Sequence, residues 1–583
     1  MHCWPVSRKI FKGFWHRPCS RSKSSGKSRK KDGNQLYCAH DDTMILSGHS
    51  RYLQTKSSLV NDITNMWLHW FTVALLCFYN SCQAADILAV APQPQLSHQI
   101  ALRPLWIELA KRGHNITLIT THPARNSTLK NLREIDIGYC IDIRERYNIT
   151  RMACDEAVSS VTVATAITNA NFECMEAQLS SAEGQNLLNN QDNHFDLLIT
   201  EAQLATTIAF SWKFQVPYIG ITSLDASLPF HIAAGNSIHP IAVPDHNLRV
   251  QDPAHLSFSE RFSSAFYNYA YRLLLRFQFY PEAHSRMKKF FGEDLPPYTE
   301  LQKNMSMLFV TTNPLFHSVR ALMPNTITFW NGLQISEEKP LPKELAEFLD
   351  DAKHGAIFFS FGSIIPADLV DDKTKLEIME TFAKLPYKVL WRIKHEFTKI
   401  PPNVRVETGW VPQQDILRHP NLKLFINHGG LQSLQEAVVH GVPSISVPFF
   451  GDHFMNARRM NLLGYGIEIA RSALNEKTLT EAVTKIMTES KYRDKAKEVG
   501  EIFKDLDFPS LEKAVWWTEY VIRNKGAWHL QNPALRIPLW QYYLLDVIGI
   551  VSLVVFAFFY SLVKMWRLML RLVLRKRRKA KTE

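Results

Sequence analysis

Metal-ligand spacing is missing from this sequence. No CxxC pair and no Cys/His cluster with zinc spacing occurs in its 583 residues, which excludes a structural metal as the organising device. Cysteine is scarce as well. Of eight, Cys3, Cys19, Cys38, Cys77 and Cys82 fall before or within a leader-like run, and Cys140, Cys154 and Cys174 are scattered through the body. Three such residues make no disulfide framework. Charge of one sign is also absent where it would matter. The formal net charge is +12, yet residues 1–65 carry 12 Lys+Arg against 4 acidic residues and residues 564–583 carry 9 against 1. Each end therefore holds +8 and the stretch between them −4. A mildly acidic body with basic ends argues against a nucleic-acid partner and fits a protein that works beside a membrane.

What is present is length and apolar content. A chain of this size, 46% apolar and 21% charged, is too long for one core of ordinary size and reads as two domains with accessory segments. Trp67 to Tyr79 is an apolar run followed by small and polar residues through Ala84 and Ala85, the layout of a secretory signal over 66–85. The basic, Ser-rich residues 1–65 form a low-order extension, and Met66 would begin a clean signal by itself. Val547 to Val563 holds no charge. Extended back to Tyr542, it gives a transmembrane helix over 542–563, followed by a basic tail, 564–583, which the positive-inside rule places in the cytosol. Lys564, Arg567, Arg571 and Arg575 recur at helical spacing beside leucines, as on a helix at an anionic lipid surface. The ending Lys579-Ala-Lys581-Thr-Glu583 resembles a dilysine retrieval signal. The expectation is a single-pass type I protein of the endoplasmic reticulum membrane with its body in the lumen. Four N-x-S/T sequons, at Asn115, Asn126, Asn148 and Asn304, lie in that body.

Within the body, strand and helix patterns alternate. Asp86 to Ala91 reads as a strand, Gln99 to Arg112 as a helix and Asn115 to Thr121 as a second strand. Phe195 to Thr200 and Pro217 to Thr222 flank a helix around Thr206 to Phe214. After a turn-rich stretch, Phe329 to Leu341, the alternation restarts. Its strands are Ala356 to Phe361, Lys388 to Ile393, Lys423 to Ile426 and Ser444 to Pro448. Its helices are Lys373 to Lys384, Gln432 to Val439 and Phe454 to Leu463. The pattern predicts α/β architecture: two Rossmann-like doubly wound domains, 86–335 and 336–540, facing across a cleft, with ligand at the carboxyl ends of the strands. Asp252 to Asp294, rich in Phe, Tyr and Arg, reads as helical.

Trp410 to Arg459 reads WVPQQDILRHPNLKLFINHGGLQSLQEAVVHGVPSISVPFFGDHFMNARR. It resembles the signature segment of the animal, membrane-bound UDP-glycosyltransferase family, which includes the UDP-glucuronosyltransferases. The W-x-P-Q start, the H-G-G turn, the S-x-x-E step, the H-G-V-P stop and the F-x-D end all stand at the family's spacing. With the strand and helix pattern, the resemblance covers about 86–563. It implies the GT-B arrangement, an acceptor-binding first domain and a second domain that binds a UDP-sugar as co-substrate, with no other cofactor and no metal. Trp410 is placed to stack on uracil, with Val411 and Gln413 at the base edge. His428, Gly430 and Ser433, with Gly429, lie at a strand-to-helix turn, where free N–H groups and the helix dipole attract a diphosphate. Glu436, one turn on, can accept hydrogen bonds from the ribose diol. Asp452 would hold sugar hydroxyls, and Ser363 in the FSFGS turn is a second phosphate contact by resemblance. Singly, Trp410 reads as core, His428 as a turn residue and Glu436 as a solvated helix residue; in this order together they read as a donor site.

The acceptor half needs a base, because a hydroxyl is a weak nucleophile until deprotonated. Ser97-His98 follows the first strand, where the family keeps its catalytic histidine. A carboxylate should orient it, and in FDLLITEA the family's usual Asp is replaced by Glu201, one methylene longer, so the pairing is expected to need a shifted strand or loop. Asp452-His453 stands where most relatives have Asp-Gln, and a histidine there resembles galactose-using members. Glucose ranks first as donor sugar, then galactose, then glucuronate, for which no cation near C6 is identifiable. The acceptor should be a small lipophilic alcohol or phenol, such as a xenobiotic, hormone or pigment, which would make the role detoxification, and it should contact Pro92 to Gln95 and the stretch Phe258 to Phe279. Two other readings stand beside this one: a transferase that makes a glycolipid, and a catalytically weak UDP-sugar binder that pairs with active relatives or with itself.

Overall fold

The computed structural model describes residues 84–155, 157–202, 206–245, 248, 250, 255–506 and 508–579, together with residues 66, 67 and 70. The chain divides into two units, 1–83 and 84–583. The expected extension and nearly all of the expected signal lie outside the described residues, as does the end of the tail from residue 580.

Alternation along the strands builds the first domain. In β1 (Asp86–Ala91), Ile87, Ala89 and Ala91 enter one core cluster while Leu88 and Val90 enter another, so the strand is apolar on both faces. That is the pattern of a central parallel strand covered by helices on each side. Next to it run β2 (Asn115–Thr120), β3 (Leu132–Asp136), β4 (Leu197–Glu201), β5 (Tyr218–Thr222), β6 (Met305–Val310) and β7 (Thr326–Thr328), in the spatial order β3-β2-β1-β4-β5-β6-β7. All pairs are parallel. The second sheet holds β8 (Ala356–Ser360), β9 (Lys388–Arg392), β10 (Val404–Glu407), β11 (Leu422–Asn427), β12 (Ser444–Ser446) and β13 (Gly466–Glu468), in the order β10-β9-β8-β11-β12-β13, again all parallel.

Both sheets reverse their winding in the same way. In the first, the chain goes from β1 outward to β3 and returns on the other side of β1 with β4; in the second it goes from β8 outward to β10 and returns with β11. Such switch points open a crevice at the carboxyl ends of the two central strands. The loops after β1 and β4, and after β8 and β11, are therefore where ligands are expected.

Three features differ from the sequence expectation. Cys140 and Cys174 form a disulfide with their Cα atoms 5.2 Å apart, while Cys154 is free and buried. Helices Tyr139–Arg146 and Ser160–Ser180 pack against each other and bring the two cysteines together, which their spacing of 34 residues does not reveal. Second, helix Ser510–Arg523 returns to the amino-terminal core. Ala514, Val515 and Val521 share a cluster with Ile87 and Leu105, and Arg112 Nη2 donates to Glu512 Oε2 at 2.8 Å. Third, the long apolar helix begins at Leu545 rather than Tyr542. Leu544 has φ +54°, which the right-handed helix cannot continue through, so residues 539–542 form a separate turn. The helix then runs unbroken to Lys579, carrying the basic stretch on the same rod. It is long and apolar enough to cross a membrane, with none of its apolar window buried.

Candidate active site

The loop after β1 turns into helix Leu96–Lys111, which places His98 in the first helical turn. Its Nδ1 lies 3.0 Å from Oε1 of Glu201, the last residue of β4 and fully buried. A carboxylate only accepts, so Nδ1 carries the proton and Nε2 is the basic nitrogen. The other carboxylate oxygen accepts from the backbone N–H of Gln93 at 3.2 Å. The Gln93 carbonyl is gripped in turn by Gln99 Nε2 and Thr121 Oγ1, each at 2.8 Å. The extra methylene of Glu201 thus leaves the pairing intact, with both oxygens engaged. Arg144 Nη1 donates to Gln93 Oε1 at 3.3 Å; burial draws its pKa down to about 10, against the pull of Glu201 nearby. Gln93 and Arg144 carry no sequence signal for this place, because 51 residues separate them.

On the opposite side, β11 ends at Asn427 and helix Leu431–Val439 begins four residues later. His428, Gly429 and Gly430 form the turn between them. A Cβ on Gly430 would come 2.5 Å from His428 Nε2, and one on Gly362 would come 2.7 Å from His428 Cε1, so glycine is needed for these loops to close on the imidazole. Gly429 has φ +82°, and its N–H is taken by Asn427 Oδ1 at 2.8 Å. The donors of the helix's first turn have no side-chain cap. The free N–H groups expected at this turn therefore belong to the helix start and not to Gly429.

Burial sets the electrostatics here. His428 is drawn down to about 4 and His453 falls well below the usual histidine range, so both imidazoles are neutral. Their rings meet edge to face with centroids 4.6 Å apart, and the Nδ1 of each is buried with no hydrogen-bond partner. Burial also pushes Glu436 up to about 7, against hydrogen bonds from Gln413 and Gln414 and the charge of Arg418. Gln413 Nε2 donates to Glu436 Oε2 at 2.8 Å and to Ser433 Oγ at 3.2 Å, and Gln414 Nε2 donates to Glu436 Oε1 at 3.4 Å. Asp452 opens helix Asp452–Leu463, and its Oδ2 accepts from Asn456 Nδ2 at 2.8 Å; the same amide reaches the Gly429 carbonyl at 3.0 Å. Arg392, at the end of β9, clasps two loops, donating from Nη1 to Gly362 O at 2.6 Å and from Nε to Gly409 O at 3.2 Å. It thereby ties the Ser363 turn to the loop that presents Trp410, which is 63% exposed at the rim.

The two halves line one cleft of about 1000 Å³. Among its walls are His98, Ser363, Trp410, Val411, Gln413, His428, Gly430, Ser433, Glu436, Asp452 and His453, with Glu201 directly behind His98. The amino-terminal wall is mainly apolar, with Ile100, Ile107, Ile149, Val163 and Ile167. Gln432 Nε2 donates across to Ser223 O at 3.1 Å, and Phe316 is buried among Leu431, Leu434 and Phe503, so the halves are packed together. Of the expected stretch Pro92 to Gln95, Gln95 alone lines the cleft. The aromatic stretch Phe258 to Phe279 does not: it forms helix Phe258–Leu274 and a π turn, with Phe258, Phe262, Phe266, Tyr269, Leu273 and Phe277 exposed and Leu275 and Phe279 buried in the core. Among the described residues no group of His, Cys, Asp and Glu is arranged to hold a metal ion.

Comparison with known proteins places this architecture. The family model described as UDP-glucoronosyl and UDP-glucosyl transferase matches residues 86–580. UDP-glucosyltransferase 2 of Dactylopius coccus is 32% identical over 491 residues, covering 83% of this chain and 93% of that protein. UDP-glucuronosyltransferase 2A3 of Cavia porcellus is 28% identical over 480 residues, covering 78% and 88%. The solved glycotransferase of kitacinnamycin superposes with a TM-score of 0.50 at 14% identity, over 76% of this chain and 100% of that one, a likeness of fold.

Proposed function

This chain belongs to the family of UDP-glucoronosyl and UDP-glucosyl transferases, and from that premise we propose that it moves a hexose from a UDP-sugar to a hydroxyl of a small lipophilic acceptor, with inversion. The observation that carries the reading is the meeting, in one cleft, of a carboxylate-oriented histidine and the strand-to-helix turn around His428. His98 Nε2 takes the acceptor's proton as the acceptor oxygen attacks the anomeric carbon; the bond from that carbon to the UDP oxygen breaks, and UDP leaves with the electron pair. Glu201 stabilises the imidazolium so formed. The first turn of helix Leu431–Val439, with Ser433 and Ser363, receives the diphosphate, which places positive dipole where a metal would otherwise serve. Trp410 stacks on the base, Glu436 accepts from the ribose hydroxyls, and Asp452 with His453 reads the sugar.

Glucose is the first choice of sugar, then galactose, then glucuronate. Relatives named for UDP-glucose and for glucuronate both match, and His453, which resembles the galactose-using members, keeps galactose close behind glucose. The apolar wall of Ile100, Ile107 and Ile167 supports a lipophilic acceptor. Glu201 bonded to His98 at 3.0 Å supports an active enzyme over the catalytically weak partner that Glu201 and His453 together suggested. The apolar helix Leu545–Lys579, followed by the basic tail, supports a single-pass anchor in the endoplasmic reticulum membrane with the body lumenal. The test is turnover in microsomes with UDP-glucose, UDP-galactose and UDP-glucuronate against phenol and lipid acceptors, with and without EDTA. One donor supporting transfer, unaffected by chelation, is the expected result. UDP binding without transfer to any acceptor would overturn the reading.

A further inference from the structure

Helix Phe258–Leu274 and its π continuation, Leu275–Phe279, present an apolar face to the outside, while Leu275 and Phe279 pack inward. Phe258, Phe262, Phe266, Tyr269, Leu273 and Phe277 are each 59–76% exposed and recur at steps of three or four residues, which puts them on one face. Facing the body on the same helix are Ser264 and Asn268, at 1% and 7% exposure. Ser264 Oγ donates to Pro240 O at 2.6 Å, and Asn268 Oδ1 accepts from Arg272 Nε at 2.8 Å. The element is well formed: Ser257 and Glu260 make a reciprocal capping box at its start. An apolar stripe of this size on a structured helix marks a contact surface.

What covers it is indicated by the root of the apolar carboxyl-terminal helix. Gln531 Nε2 donates to Met305 O at 2.8 Å, and Asn532 Nδ2 donates to Gly235 O at 2.9 Å, so the segment leading to that helix is fastened to the domain that carries the stripe. Gly235 is only five residues from Pro240, which holds Ser264. Between the fastening and the apolar helix lie Trp540, Tyr542 and Tyr543, all exposed, the residue types that gather at a bilayer interface. Exposed Arg261 and Arg276 lie among the aromatics of the stripe, and the Arg261 guanidinium sits 5.9 Å from the Phe258 ring centre. Arginine beside phenylalanine suits a helix lying at the headgroup boundary.

We propose that the face from Phe258 to Phe277 is seated in the interfacial layer of the bilayer that the carboxyl-terminal helix crosses, giving the body a second, monotopic attachment. The inference rests on the membrane anchoring proposed above and is independent of sugar transfer. Its consequence is that the apolar acceptor wall is held close to the lipid in which a lipophilic acceptor concentrates.

The test uses the full chain reconstituted in phosphatidylcholine and phosphatidylserine vesicles, with a protease site inserted between Arg536 and Leu539. After cleavage, the wild-type body is expected to sediment with the vesicles. The Phe262→Ser, Phe266→Ser, Phe277→Ser variant is expected to appear at least about fivefold more in the supernatant, with UDP binding retained as the check on folding. Release of the wild-type body as complete as that of the variant would overturn the proposal. So would a released wild-type body that is dimeric where the variant is monomeric, because the stripe would then join two copies. An uncleaved chain that fails to sediment would instead count against the anchor itself.

Discussion

The two walls of the cleft are built and left in opposite electrostatic states. On the acceptor side the groups around the histidine are satisfied: His98, Glu201, Gln93, Gln99 and Thr121 are joined by hydrogen bonds, while Gln95 Oε1 nearby is buried without a partner. On the donor side His428 and His453 are neutral, each with an unpartnered Nδ1, and burial pushes Glu436 up to about 7 against the hydrogen bonds of two glutamines. Buried polar groups without partners are costly. On the proposed function, the acceptor side is preorganised for proton transfer, and the donor side gains its missing partners from the nucleotide sugar. Binding energy is expected to reside on the donor side and rate on the acceptor side.

The sharpest way to break that comparison is His98→Ala. Removal of a general base should lower turnover by about 10²–10⁴-fold and leave UDP affinity unchanged, measured by steady-state kinetics beside calorimetry. A large loss of affinity would place His98 in the donor site. Next, Glu436→Gln should weaken UDP binding by about 10–100-fold, since hydrogen bonds to a charged acceptor contribute about 1.5–3 kcal/mol. The pH dependence adds a sign. The free carboxyl titrates at about 7, while the ribose diol donates and so needs the carboxylate; binding expels the proton. UDP affinity should rise with pH up to about 7 and level off above it, and the glutamine variant should lose that slope.

Trp410→Ala should cost about 1–3 kcal/mol of UDP affinity, the value of stacking on one base. It should have little effect on thermal stability, because the side chain is mostly exposed. The smallest effect is expected from Glu201→Asp. The strand end and the Gln93 loop here are set for the longer side chain, so restoring the family's usual residue should lower kcat by about tenfold, within the span of a weakened base. An Asp variant faster than wild type would show that the pairing in this protein is compromised.

Legibility in the sequence follows the same division. The donor wall comes from one continuous stretch, Trp410 to Asp452, in which strand β11, the glycine turn and the following helix succeed each other directly. Order along the chain is nearly order in space, so one continuous segment could carry the family resemblance on which the proposed donor site rests. The acceptor wall joins positions 103 residues apart, from β1 and β4, which become neighbours only through the switch point of the sheet. His98 and Glu201 were named by resemblance, Gln93 only as part of the acceptor stretch Pro92 to Gln95, and Arg144 not at all. The aromatic stretch Phe258 to Phe279 misled for a related reason. Composition shows that it is apolar, but only packing shows that Ser264 and Asn268 face the body while Phe258, Phe262, Phe266 and Phe277 face out.

By itself the sequence determined the alternation of parallel strands and helices, the split into two doubly wound halves and the apolar carboxyl-terminal helix, because each rests on periodicity or on contacts within a few turns of the chain. The tertiary structure alone decided the Cys140–Cys174 bond, the return of helix Ser510–Arg523 to the first core, the partners of Glu201 and the outward turn of the aromatic stripe. Each of these depends on where distant elements dock, and burial, which sets both docking and acidity, is a property of the whole packed chain rather than of any local stretch.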